Sequence, residues 1–174
     1  MTHAKKLILG LVLALSLKNS WSQSSSFVVY KDTVRNYSIK IPVGWRYGKS
    51  KAYPDIDLVA IRVGADTSDK AHENFNLNIL DKKNSSLEKE YGKLINALSS
   101  TGDLNLVKKD DVIINGQDFK WLIETHKVNS LSVTNYVFVG YKNERTYILT
   151  LVSLTKDFDK YESVFTEIAH SLTL

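Results

Sequence analysis

The sequence contains no cysteine and only two prolines among its 174 residues. Without cysteine the chain can form no disulfide, and it offers no thiol nucleophile, no CxxC redox pair and no thiolate ligand for zinc. The two prolines, Pro42 and Pro54, lie in the first third of the chain, so no proline-rich linker separates domains. We therefore expect the chain to fold around an ordinary hydrophobic core.

Familiar catalytic motifs are also missing. The sequence has no GxSxG, P-loop, GxGxxG, HExxH or EF-hand pattern. Apart from the histidine at position 3, the sequence has three histidines, His72, His126 and His170. They are not spaced as metal ligands are, and we expect them at the protein surface. No nucleophile can be paired with a base along the sequence, so we predict neither an enzyme nor a bound cofactor.

Residues 1–22 have the pattern of a secretory signal. Two lysines precede an apolar run of about eleven residues, and a Ser-Trp-Ser sequence at the end supplies a small-x-small cleavage site. The run is shorter than the roughly twenty apolar residues that a membrane span needs. We therefore predict a mature chain that begins at Gln23, has no transmembrane anchor, and is soluble in the periplasm or the extracellular space.

Most of the net positive charge of the sequence comes from that same segment. The whole chain has 23 Lys and Arg against 19 Asp and Glu, a net charge of +4, and three of the lysines lie in residues 1–22. The remaining chain keeps a net charge of +1. It lacks the clustered surplus of basic residues that nucleic-acid binding requires, so we expect no nucleic-acid partner.

Residues 112–153 are expected to form a four-stranded antiparallel meander. Short polar connectors separate four apolar runs, at 112–114, 117–128, 132–141 and 146–153. The first connector, Asn115-Gly116, favours a type I′ hairpin turn. The second run alternates with a period of two, whereas the third and fourth are apolar at nearly every position, which is typical of a sheet covered on both faces.

Further strands and two helices are predicted around this meander. Both helices have apolar residues at helical spacing, and Ser85 and Glu88 are spaced as a capping box for the first. The polar and aromatic stretch at 46–57 is expected to be a surface loop. Residues 23–174 are thus predicted to form one α+β domain. The strands are expected at 27–30, 37–41, 58–63, 74–80 and 104–107, and the helices at 87–98 and 158–172.

The segment Tyr37-Ser38-Ile39-Lys40-Ile41-Pro42-Val43-Gly44-Trp45 resembles the opening of PsbP-like domains. Similarity continues at Leu87-Glu88-Lys89-Glu90-Tyr91, at Ile114-Asn115-Gly116, and in the last strand and helix, so it covers nearly all of residues 23–174. The resemblance implies a three-layer α/β/α sandwich with a central antiparallel sheet. It also implies a non-catalytic role, because the family includes extrinsic subunits that help photosystem II retain calcium and chloride, a relative that binds a small GTPase, and exported bacterial proteins. No binding residue of the family is transferred to this sequence.

One stretch, at 45–54, concentrates the residue types that protein interfaces favour. Tyr, Trp and Arg are enriched in binding hot spots, and flanking lysines help to steer a partner. Two interpretations stay open, a partner-binding loop and a loop whose rings fold back onto the sheet. In the first, a protein partner or a larger exported complex would be bound, and the sequence does not specify the oligomeric state. The candidate residues are Trp45, Arg46, Tyr47, Lys49, Lys51 and Tyr53.

Two alternative functions remain. Four residues in one predicted loop, Asp66, Asp69, His72 and Glu73, supply the ligand types of a divalent metal ion, although a solvated acidic loop is the simpler interpretation. An uncharacterised periplasmic hydrolase would need a deep pocket that holds His72 or His126 against a carboxylate. The preferred prediction is an exported, non-catalytic binding or assembly module whose partner is unknown.

Overall fold

The computed structural model describes residues 26–50, 53–64, 72–100 and 104–174. The predicted signal segment and Gln23 lie outside these ranges, as do Lys51, Asp66 and Asp69. The described strands are β1 (Phe27–Asp32), β2 (Tyr37–Pro42), β3 (Trp45–Gly48), β4 (Leu58–Arg62), β5 (Asn74–Asp81), β6 (Asn105–Ile114), β7 (Gln117–Val128), β8 (Leu131–Lys142) and β9 (Arg145–Leu154). The described helices are α1 (Leu87–Ser99) and α2 (Phe158–His170), and a short 3₁₀ turn (Thr155–Asp157) precedes α2.

Seven of these strands form one sheet in the order β3-β4-β5-β9-β8-β7-β6, and every neighbouring pair is antiparallel. Strands β6 to β9 follow one another in space as they do in sequence, which confirms the predicted meander. Strands β1 and β2 form a separate antiparallel hairpin. The main chain of residue 173 continues this hairpin, because Ser38 and Thr173 exchange two backbone hydrogen bonds.

Helix α2 and the β1–β2 hairpin cover one face of the sheet, and α1 covers part of the other. The two-sided arrangement confirms the predicted α/β/α sandwich with a central antiparallel sheet. The larger core contains Phe75, Phe119 and Phe138 of the sheet, Ile39 and Ile41 of β2, and Phe165 and Ile168 of α2. The smaller core contains Leu122, Val137 and Val139 of the sheet under Leu87, Tyr91, Leu94, Ile95 and Leu98 of α1.

Strand β6 corrects one prediction. The sequence indicated two short strands, at 104–107 and 112–114, whereas the structure has one continuous strand with a bulge between Leu106 and Lys108. The residues between the two apolar runs are charged and exposed. They stay extended because β6 is an edge strand whose side chains reach water on both faces, so no apolar alternation marks it.

Strand β3 corrects a second prediction. The surface loop predicted at 46–57 is wrong for its first residues, because Trp45–Gly48 forms an edge strand paired with β4. Four residues are too few for a period of two to stand out from the sequence. The rest of the stretch, as far as it is described, connects β3 to β4 without regular strand or helix.

The helix ends differ slightly from the predicted ones. The N-cap of α1 is Ser86, whose Oγ accepts from the backbone N of Lys89 at 3.2 Å, so the capping box predicted for Ser85 and Glu88 is not formed. Helix α2 ends at His170, because its Ser171 cap turns the chain toward β2. Each of the two α-helices in the described residues has 13 residues, fewer than the roughly twenty that a membrane span needs.

Candidate functional site

The predicted binding segment is divided between the two faces of β3. Because alternate residues of a strand point to opposite faces, Trp45 and Tyr47 lie on one face and Arg46 lies on the other. Tyr47 pairs with Ala60, which belongs to the larger core under the β1–β2 hairpin and α2. Arg46 pairs with Ile61 and therefore faces the side on which α1 lies.

The two rings on the inner face of β3 differ in their burial. The ring centroid of Trp45 lies 6.2 Å from that of Phe75, and Trp45 packs against the larger core. Tyr47 meets Tyr30 edge to face at 5.9 Å, yet 50% of its surface remains exposed. Trp45 is therefore part of the sheet's packing, and Tyr47 is available to a partner.

Tyr53 is more exposed than either ring, at 66%. Its backbone N donates to Ser50 Oγ at 3.0 Å, and its carbonyl accepts from the backbone N of Ile56 at 3.0 Å. These two hydrogen bonds join the backbone of Tyr53 to Ser50 and to Ile56. Lys49 is also exposed. We refer to the exposed, described members of the segment, Arg46, Tyr47, Lys49 and Tyr53, as the β3 patch.

The cations determine the charge of the β3 patch. Burial, together with the nearby Asp32 carboxylate, raises the pKa of Tyr30, the residue that supports Tyr47. Its hydroxyl therefore stays neutral at physiological pH. Among the described residues of the patch, Arg46 and Lys49 carry positive charge and none carries negative charge.

The sheet face next to Arg46 is only partly covered. Helix α1 packs over β7 and β8, whereas side chains of β4 and β5 on the same face remain at least partly exposed. This finding agrees with the asparagines that alternate along β5. The cross-strand row that begins at Arg46 contains Ile61, Asn74, Val152, Asn135 and Glu124.

Further along this row, on β7, lies a buried carboxylate that the sequence patterns did not indicate. Glu124 is 1% exposed, its Oε1 accepts from Asn135 Nδ2 at 2.5 Å, and its Oε2 lies 3.1 Å from His126 Nδ1. His126, predicted to be a surface residue, is thus a partly buried partner of an acid, with 28% of its side chain exposed. The two signals in the sequence are the i, i+2 spacing of Glu124 and His126 and the asparagine within an otherwise apolar strand.

The His126 region does not form the deep pocket that a hydrolase would need. A depression of about 580 Å³ lies beside His126, but most of the residues that line it are exposed. Ser132 lines it too, yet it faces the opposite side of the sheet from His126, where its Oγ lies 3.0 Å from Thr155 Oγ1. Among the described residues, no nucleophile is therefore aligned with this imidazole.

The predicted metal-binding loop is described only in part. Glu73 is 4% exposed and pairs with Arg62 Nε, so its carboxylate is engaged by a cation of the protein. His72 is partly buried. Within the ranges given above, no three histidine, aspartate or glutamate side chains are grouped in a way that would hold a metal ion.

Comparison with known proteins gives one family and several similar folds. The PsbP family model matches residues 25–174. No curated protein matches the chain. The solution structure of the cyanobacterial PsbP, CyanoP, from Synechocystis is 21% identical, with a TM-score of 0.63, and the match covers 86% of this chain and 93% of that one.

Two more distant structures share the fold. The Ran-binding protein Mog1p of Saccharomyces cerevisiae is 11% identical, with a TM-score of 0.58 over 86% of this chain and 96% of that one. LpqN of Mycobacterium tuberculosis, described as involved in cell envelope biogenesis, is 13% identical, with a TM-score of 0.60 over 86% and 91% of the two chains. At these identities the similarity establishes the fold alone.

Proposed function

Because the chain belongs to the PsbP family, we propose that it is an exported, non-catalytic module that binds a protein partner through the β3 patch. The observation that carries this proposal is that two tyrosines, Tyr47 and Tyr53, and two cations are exposed along the edge strand β3 and the connection that follows it. Arg46 and Tyr47 belong to a paired strand, and the backbone of Tyr53 is hydrogen-bonded to Ser50, so less conformational freedom is lost when a partner binds.

The similar structures support a binding role. One is a Ran-binding protein, and another is involved in cell envelope biogenesis. These roles belong to those proteins. For this chain they favour a protein that recognises another macromolecule over one that transforms a substrate.

The β3 patch indicates the chemistry of the partner. Without residues 1–22 the chain has a net charge of only +1, so long-range attraction by the whole protein is weak. Arg46 and Lys49 provide local positive charge in the same stretch of chain as the two tyrosines, with Arg46 on the opposite face of β3 from Tyr47. A fitting partner surface is therefore acidic around an apolar centre, and truncation of an aromatic hot spot in such an interface typically costs at least about 2 kcal/mol of binding free energy.

The test compares Tyr47→Ala/Tyr53→Ala with the wild type as bait for partners from the exported fraction. Both rings are half exposed or more, so the melting temperature should fall little while partner recovery falls at least about tenfold. Val34→Ala/Lys83→Ala, which alters exposed residues elsewhere, is the matched control and should recover the partner normally. Unchanged recovery by the tyrosine variant, or a large fall in its melting temperature, contradicts the proposal.

Export is a separate part of the proposal. It rests on the signal pattern of residues 1–22, which lie outside the described ranges. Intact mass spectrometry of protein from fractionated cells should show a chain that begins at Gln23 in the periplasmic or culture fraction. A full-length precursor in the membrane pellet, or a lipid adduct, would count against export.

A further inference from the structure

Strand β6 is an edge strand with an unusual charge pattern. No described strand pairs with its outer side. Two lysines, Lys108 and Lys109, are followed directly by two aspartates, Asp110 and Asp111, and all four are exposed. Apolar residues flank this block on both sides, with Leu106 and Val107 before it and Val112 and Ile113 after it.

This pattern is complementary to itself when the strand is reversed. In an antiparallel pair of two identical strands, the lysine half of one strand lies beside the aspartate half of the other, and the leading apolar residues lie opposite the trailing ones or one residue away from them. We propose that β6 pairs antiparallel with β6 of a second copy of this chain, which gives a two-fold symmetric dimer with a continuous sheet of fourteen strands, seven from each copy.

Symmetry limits the possible registers. The two-fold axis of such a dimer is perpendicular to the sheet, so it leaves each side chain on the same face. Directly opposed residues of an antiparallel pair also have their side chains on the same face. The axis must therefore pass between a residue and the same residue of the second copy. With the axis at Asp110, Lys109 faces Asp111 of the second copy on both sides of the axis. With the axis at Lys109, Lys108 faces Asp110 of the second copy in the same way. Either register therefore forms two Lys–Asp pairs. The two like charges at the axis face each other, but each also lies diagonal to one opposite charge on the other strand.

The exposed apolar residues distinguish this edge from one that is merely protected against pairing. Protected edges carry charges, especially lysine, or a bulge, whereas an exposed edge with large apolar side chains is prone to pair with another strand. Here Val107 is 57% exposed and Ile113 is 70% exposed. The bulge lies at the leading end of the block, between Leu106 and Lys108, so residues 108–112 remain regular for pairing. Pairing would bury apolar side chains that single chains leave in water.

Two charge-reversed variants provide the main test. Lys108→Asp/Lys109→Asp creates a run of four acidic residues, and Asp110→Lys/Asp111→Lys creates a run of four basic residues. Light scattering coupled to size exclusion should give the wild type twice the monomer mass at high micromolar concentration, each variant alone the monomer mass, and an equimolar mixture twice the monomer mass. A wild type that stays monomeric into the millimolar range overturns the proposal, as does a mixture that stays monomeric while both variants are folded by circular dichroism.

The absence of cysteine permits a second test that leaves most of the charge block intact. Lys109→Cys and Asp110→Cys each place one thiol at a possible axis, where it faces its own copy. Mild oxidation should convert one of the two variants to a disulfide-linked dimer at least about tenfold faster than Glu162→Cys, an exposed control position on α2. Equal rates at all three positions would contradict the pairing.

Discussion

The ring of Phe119 on β7 lies over Gly140, its direct cross-strand partner on β8. A Cβ atom at position 140 would be 2.5 Å from Phe119 Cε1. Gly140 is buried, and its nearest neighbours on the same face of β8 are the large side chains of Phe138 and Tyr136. The glycine is therefore required by the close approach of the ring and is not a sign of a bend in the strand.

Gly140→Ala is expected to lower the free energy of unfolding by about 1–3 kcal/mol, because the ring must move in a packed core. Urea denaturation measures the loss. In the double variant Gly140→Ala/Phe119→Leu, the smaller leucine leaves room for the new methyl group. Its loss of unfolding free energy should therefore be smaller than the sum of the losses in the two single variants. If the losses of unfolding free energy from the two substitutions simply add, the contact between position 140 and the Phe119 ring is not the source of the loss.

Most of the meander could be predicted because its signals are local. Asn115 and Gly116 adopt φ values of 50° and 77°, as the Asn-Gly sequence indicated. The turn between β8 and β9 was expected to be longer, but it has only two residues, Asn143 and Glu144, both at positive φ. Glutamate has no preference for that conformation, so its position in a tight turn could not be predicted.

The candidate site was harder to predict than the fold. The segment at 45–54 was chosen by composition alone, and composition does not reveal that β3 separates Arg46 from Tyr47 onto opposite faces. The contact between Glu124 and His126 was missed for a related reason. Spacing places both on one face, but burial of that face depends on which strands and helix lie next to it.

Trp121→Ala is expected to cost about 3 kcal/mol of unfolding free energy, at the low end for a tryptophan truncation. The residue is partly buried, its ring meets Tyr136 edge to face at 5.4 Å, and Lys108 Nζ lies 5.2 Å from the ring centroid. Val128→Ala, at an exposed position on the same strand, is the control and should cost below about 0.5 kcal/mol. A Trp121→Ala cost under about 1 kcal/mol would mean that this ring does not pack as described.

Glu144→Gly is expected to stabilise the protein by about 0.5–1 kcal/mol, since a left-handed conformation is strained for glutamate and open to glycine. The φ of Glu144 is 57°. Its carbonyl accepts from the backbone N of Lys82 at 2.7 Å, a bond that the substitution retains. Thermal unfolding should show a higher melting temperature for Glu144→Gly and no gain for Glu144→Ala. A lower value for the glycine variant would contradict the turn geometry.

Glu90 is expected to contribute stability that depends on pH. Burial alone would raise its pKa, but hydrogen bonds from Lys93 and Ser85 and the charges of Lys93 and Lys82 hold the pKa below its usual value. A lowered folded pKa gives stabilisation that is present above the unfolded pKa, near 4.5, and is lost as the pH falls through the folded pKa.

The measurement for Glu90 is the free energy of unfolding of Glu90→Gln and of the wild type between neutral and strongly acidic pH. The variant should be less stable at neutral pH, and the difference should shrink as the wild-type carboxyl becomes protonated. Glu88→Gln, at an exposed position in the same helix turn, should show little difference at either pH. A Glu90→Gln deficit that stays constant with pH would show that the carboxylate charge is not its source.

The β3 patch as a partner-binding surface is tested most directly by photo-cross-linking in cells. Tyr53 is replaced by the photoreactive residue p-benzoylphenylalanine, a change that its 66% exposure should tolerate, and Val34, 82% exposed, is replaced in a matched control. Illumination should produce one discrete adduct of higher mass in the exported fraction at position 53 and none at position 34. No adduct at position 53, or the same set of adducts at both positions, would contradict the proposed binding surface.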